Sequence, residues 1–141
     1  MDLPEPAPLP PARSPRILLV DSAIPVARVL ASFLDSFEVE LATTFGGALV
    51  RLASAPVIDA VICDLHLDDL ENMDGRDLYR LACARSPELR GRFVLMTGAS
   101  SPPPGFDESA ALPILRRPFD PDLLLATLQK LLLRHPPRGD A

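Results

Sequence analysis

Four polar residues stand at the ends of short apolar runs, and their types belong to one kind of chemistry. Asp21 follows Ile17-Leu18-Leu19-Val20, and Asp64 follows Ala60-Val61-Ile62-Cys63. Thr97 follows Phe93-Val94-Leu95-Met96, and Arg117 follows Ile114-Leu115-Arg116. Two carboxylates, a hydroxyl and a guanidinium suit a phosphoryl group held with a hard divalent cation. Carboxylates bind Mg²⁺ together with phosphate oxygens. Thr97 offers a donor to one phosphoryl oxygen, and Arg117 neutralises another. An Asp among them is a candidate nucleophile that forms an aspartyl phosphate. Each residue also has a purely structural reading. Asp at a strand end is often a helix cap or turn residue, Thr97-Gly98 reads as a turn, and Arg117-Pro118 as an exposed strand terminus. Against those readings stands the equivalent placement of all four.

Elements able to hold these residues together follow from periodicity. The runs ending at Asp21, Asp64 and Thr97, with Ile114-Leu115-Arg116-Arg117, read as buried strands. Glu38 to Ala42 alternates, with Val39 and Leu41 apolar, and reads as the second strand in chain order. Between strands, Val26, Val29, Leu30, Phe33 and Phe37 recur at helical spacing, with Pro25 suited to a first turn. Phe45, Leu49 and Leu52 mark a second helix. Leu78, Leu81 and Ala82 mark a third, opening after Gly75 and stopping near Pro87. The segment from Ser100 to Leu112 is broken by Pro102-Pro103-Pro104-Gly105 and leaves room only for a shortened fourth helix between Phe106 and Ala111. Leu124, Leu125, Leu128, Leu131 and Leu132 mark the last helix, with Asp120 as N-cap. Alternating strands and helices imply an α/β fold with a parallel sheet covered on both faces. In a doubly wound sheet of this kind, ligands bind beyond the carboxyl ends of the strands, where the four polar residues fall.

The 141 residues suggest one domain. Apolar residues make up 48% of the chain, so most of it should be globular. The net charge of −5 speaks against direct binding of nucleic acid, which needs a clustered basic face. No apolar run approaches the ~20 residues that span a bilayer, and the start of the chain lacks the pattern of a signal peptide. Cytoplasmic placement without membrane insertion is the expectation. Cys63 and Cys83, both in apolar surroundings, read as buried free thiols. Residues 1–15 carry six prolines and should form an extended, disordered tail. Residues 134–141 form a second tail, whose end from Pro136 should fray.

Other chemistries fit less well. Aligning Asn72, Asp74 and Gly75 with a calcium loop puts Leu70 and Leu81 where carboxylates are required. His66 and His135 are too far apart, with no spaced partners, to suggest zinc. His66 reads as a loop residue beside the acceptor, and Tyr79 as a packing residue.

Taken in order, Ile17-Leu18-Leu19-Val20-Asp21, Val61-Ile62-Cys63-Asp64-Leu65, Met73-Asp74-Gly75, Val94-Leu95-Met96-Thr97-Gly98 and Arg117-Pro118-Phe119 resemble the motifs of response-regulator receiver domains, over about residues 16–133. The resemblance implies a flavodoxin-like five-stranded sheet in the order 2-1-3-4-5. It implies phosphoryl transfer from a histidine kinase or phosphotransfer protein onto Asp64. Mg²⁺ would be held by Asp21, Asp64 and the His66 backbone carbonyl. Thr97, Gly98 and Arg117 would grip the phosphoryl group, and Pro118 is the cis-peptide candidate. Their movement would be reported at the face formed by the fourth helix, fifth strand and last helix to an unknown downstream protein.

Four departures from that pattern stand out. Ser22 replaces the usual second acid and weakens the metal site. Arg117 replaces the usual Lys, a swap that is not neutral at a crowded site. The loop from Asp64 to Gly75 is long, and the fourth helix is short. Besides the phosphorylatable receiver, two further readings stay open. One is a degenerate receiver acting only as an interaction module. The other is a small Asp-nucleophile phosphohydrolase, which would want a second acid where His66 stands. With only a short tail after Leu133, the chain reads as a single-domain regulator or a fragment of a larger chain.

Overall fold

In the computed structural model, residues 14–67, 73–98 and 112–138 are described. The strands are β1 (Arg16–Val20), β2 (Glu38–Ala42), β3 (Ala60–Asp64), β4 (Phe93–Thr97) and β5 (Ile114–Arg116). The helices are α1 (Ile24–Ser32), α2 (Phe45–Leu52), α3 (Gly75–Arg85) and α4 (Pro121–Arg134), with a single 3₁₀ turn at Pro87–Leu89. The strands form one sheet in the order β2-β1-β3-β4-β5, every pair parallel. The expected order and the expected α/β class are both met. The shortened helix expected between Phe106 and Ala111, the proline-rich residues 1–13 and the loop residues 68–72 lie outside the described residues.

Every residue of β3 and β4 is buried, as an interior parallel strand requires when both faces are covered. Alternation along the strands splits the core in two. Leu18, Val20, Val61, Cys63, Phe93 and Leu95 pack with Phe45, Ala48, Leu78 and Ala82 of α2 and α3. Ile17, Leu19, Ile62, Val94, Met96 and Leu115 pack with Leu30, Leu124, Leu128 and Leu131 of α1 and α4. Capping fixes the helix starts. Asp74 and Asp77 form a reciprocal capping box at α3, and Asp120 accepts from the Asp122 N–H at 2.9 Å at α4.

Helix α1 differs from its expected packing. Its inward stripe is Ala27, Leu30 and Leu34, not Val26, Val29 and Phe33. Those three are exposed, Val29 by 59% and Phe33 by 49%. The helix is apolar nearly all round, so two stripes share the same spacing. The small Ala27 hid the one that faces the sheet.

The C-terminal segment also departs from expectation, because residues 136–138 do not fray. Arg92 donates to the carbonyls of His135 at 2.9 Å, Pro136 at 2.9 Å, Asp59 at 3.0 Å and Glu88 at 3.1 Å. The buried Asp59 carboxylate accepts from two distant amides, Arg16 N–H and Arg138 N–H, each at 2.8 Å. The Arg138 guanidinium reaches the Ile58 carbonyl at 2.6 Å. Gly91 makes this strap possible. Its φ is +79°, and a Cβ there would stand 2.7 Å from the His135 ring. These contacts sit at the edge where β1, β3 and β4 begin, opposite the four polar residues.

Candidate functional site

At the other edge, the chain delivers Asp21, Asp64, Thr97 and Arg117 to one place. Asp21 follows β1, Asp64 and Thr97 close β3 and β4, and Arg117 follows β5. The Arg117 N–H donates to the Thr97 carbonyl at 2.8 Å, so the β4–β5 ladder carries one residue past the strand end. The Arg117–Pro118 peptide is cis, as expected for Pro118. Arg117 then reaches across the strand ends. Its Nη2 donates to Asp21 Oδ2 at 3.2 Å and to Asp64 Oδ2 at 3.4 Å, and its Nη1 to Asp64 Oδ2 at 3.3 Å.

Both acids are nearly enclosed, Asp21 at 1% exposure and Asp64 at 7%. Burial raises the Asp21 carboxyl above its ordinary value. The Ala23 amide pulls it back, the Asp64 charge raises it again, and Arg117 lowers it. On balance, the pocket holds more negative charge than one guanidinium offsets.

Local structure orients Asp64. The His66 N–H donates to Asp64 Oδ1 at 3.0 Å. The Cys63 thiol donates to the Asp64 carbonyl at 3.3 Å, and burial pushes that thiol well above the ordinary range. Gly75 opens α3 directly against the end of β3. A Cβ there would lie 2.8 Å from the Asp64 carbonyl oxygen, so only glycine fits without a shift. The Gly75 N–H donates to the Leu65 carbonyl at 3.0 Å.

Thr97 is fully buried, and its hydroxyl lies 3.4 Å from His66 Nε2. His66 was expected beside the site and as a backbone carbonyl; the contact of its ring with Thr97 was not expected. Gly98 is exposed with open space where a Cβ would be, and Ser22 is half-buried beside Asp21. A cleft of about 460 Å³ is lined by Val26, Leu30, Gly98, Arg117, Pro118 and Phe119. Cys63 and Cys83 are buried and free, as expected.

The donor set fits a Mg²⁺ ion that keeps most of its water, since two carboxylates share one cation here. Among the described residues, no group of three or more His, Cys, Asp or Glu side chains comes together to hold a metal. None of the helices in the described residues is long and apolar enough to cross a membrane.

No protein-family model matches the chain, and no curated protein matches it. Solved structures do. The signal receiver domain of an HD domain-containing protein from Pseudomonas fluorescens Pf-5 is 28% identical, with a TM-score of 0.70 over 87% of this chain and 98% of that one. The Vibrio cholerae chemotaxis protein CheY4 is 26% identical, with a TM-score of 0.72 over 85% of this chain and all of the other. A CheY-like receiver domain protein from Methanospirillum hungatei JF-1 is 23% identical, with a TM-score of 0.72 over 87% and 97%. The all-parallel five-stranded sheet, its strand order and these likenesses agree: over most of its length the chain has the fold of the CheY-like response-regulator receiver domains.

Proposed function

We propose that the chain is a phosphoacceptor receiver domain of a two-component phosphorelay, taking a phosphoryl group onto Asp64. The observation that carries this is the convergence of Asp21, Asp64 and Arg117 in direct contact beyond β1, β3 and β5, with the Thr97 hydroxyl at the end of β4. The donor is a phosphohistidine on a histidine kinase or phosphotransfer protein. An Asp64 carboxylate oxygen attacks phosphorus. The P–O bond forms as the P–N bond breaks, and the leaving imidazole takes the bonding pair and a proton.

Asp21, Asp64 and the His66 carbonyl would hold Mg²⁺. When bound, it neutralises charge on the phosphoryl oxygens. Thr97 and Arg117 grip those oxygens, Gly98 leaves room beside them, and Ser22 supplies a weak neutral contact. Receiver domains of this fold typically serve as signalling modules, and in this reading turnover is limited to the chain's own phosphorylation and its reversal. In this reading residues 16–133 form the receiver, the flanking segments are tails of which residues 135–138 are strapped back onto it, and the protein works in the cytoplasm on a downstream protein.

Incubation with Mg²⁺ and acetyl phosphate should give a hydroxylamine-labile adduct by mass spectrometry. Asp64→Asn should abolish it. An adduct that survives this substitution sinks the reading. The degenerate receiver keeps support from Arg117, which already engages both acids; for that reading no adduct forms in wild type.

A further inference from the structure

The edge opposite Asp64 holds a second concave site. A cavity of about 380 Å³ lies between the last turns of α4, Gly91 and Pro113. Its cations come from one helix face. Lys130 and Arg134 stand four residues apart, and His135 caps the helix beside them. Like charges at this spacing repel each other. Among the described residues no acid lines the cavity, and Lys130, Arg134 and His135 form no ion pair. Arg16, Arg51, Arg76, Arg80 and Arg117, by contrast, each engage a carboxylate. Offsetting the dipole of α4 accounts for Arg134 in the last turn, but not for Lys130 a turn earlier.

His135 is fixed from three directions. Its N–H donates to the Leu131 carbonyl at 2.8 Å, and its carbonyl accepts from Arg92 at 2.9 Å. Its ring lies against Gly91, where a Cβ would stand 2.7 Å away. Arg92 is buried behind it, with Arg138 as a neighbouring like charge and Asp59 as an opposite one. The strap thus sets a further guanidinium behind the cavity.

We propose that this cavity binds a small molecule carrying a phosphate group. The anion sits between Lys130 and Arg134 and relieves their repulsion, and the apolar part lies on Pro113 and Leu131. Two full charges match a doubly charged anion, and the arginine fork matches phosphate oxygens. The site lies apart from the strand ends that hold Asp64, so it does not depend on the function proposed above.

Phenyl phosphate, inorganic phosphate and benzoate are each titrated in metal-free buffer while amide signals are followed by NMR. Phenyl phosphate should bind tightest, moving Gly91, Leu131 and His135 and leaving Ala23 and His66 still. Lys130→Gln combined with Arg134→Gln should weaken it about tenfold, since one exposed cation is worth up to about fivefold. Both side chains are exposed, so the fold should survive the exchange. Should the double variant melt, Lys130→Gln decides alone, with an expected loss of about threefold. Three results each overturn the site: no movement of Gly91 and His135 at millimolar phenyl phosphate, undiminished binding in the variants, or benzoate binding as tightly as phenyl phosphate.

Discussion

Asp21 carries an unfavourable electrostatic load. It is more enclosed than Asp64, and its carboxyl is raised above the ordinary 3.8, first by burial. A carboxyl raised on folding contributes stability that is present below the unfolded value and lost as pH climbs through the folded one. At neutral pH, Asp21 therefore costs stability. Asp21→Asn should raise the melting temperature at pH 7 in metal-free buffer. The gain should shrink as pH falls toward about 3.8. Thermal melts across that range test it, and a lower melting temperature at pH 7 would contradict it. Asp21, Asp64, Thr97 and Arg117 were legible in the sequence because each is a polar residue closing an apolar run. Two things were not. The contact of His66 Nε2 with Thr97 joins residues 31 apart in a loop without periodicity. The sharing of both Oδ2 atoms by Arg117 depends on side-chain reach, which spacing does not encode.

At the scale of elements, strand positions were legible nearly to the residue, because a buried parallel strand is an unbroken apolar run. Helices were legible in extent but not always in facing. For α1, two overlapping stripes satisfied the same spacing, and only packing against β1 and β3 decides between them. Leu30→Ala should therefore cost about 2–4 kcal/mol in urea unfolding. Val29→Gln, on the exposed side, should change stability by no more than about 0.5 kcal/mol. Similar losses for the two would mean that the helix is turned differently. Between β2 and α2, Glu40 and Arg51 form a two-pronged ion pair at 2.6 and 2.7 Å, which lowers the Glu40 carboxyl. That pairing supports stability above the ordinary glutamate value and is lost as pH falls through the lowered one. Its weight is modest, because Glu40 stays accessible to water.

At the scale of the whole molecule, the sheet carries different business at its two edges. One edge gathers Asp21, Asp64, Thr97 and Arg117, and the other ties down residues 135–138. The strap was invisible in the sequence. Its composition is that of a tail, and its partners lie 43 to 80 residues away. A hint was present all the same: Asp59 and Arg92 are charged residues placed immediately before β3 and β4, and each is buried. Deleting residues 135–141 should cost about 2–4 kcal/mol in denaturant unfolding, because Asp59 and Arg92 lose partners while remaining enclosed. The acetyl-phosphate adduct on Asp64 should still form, since the acceptor edge is untouched. Loss of the adduct in a folded truncation would show that the two edges are coupled.

The Asp59 carboxylate has a mechanical meaning as well. Its two oxygens grip the amides of Arg16 and Arg138, so the incoming and outgoing strands of chain are knotted at one point. A pull that separates them loads those two hydrogen bonds together with the bond from the Glu38 N–H to the Pro15 carbonyl and the Arg138 bond to the Ile58 carbonyl beside them. Asp21, Asp64, Thr97 and Arg117 sit at the opposite ends of the strands, away from the point where such a load enters.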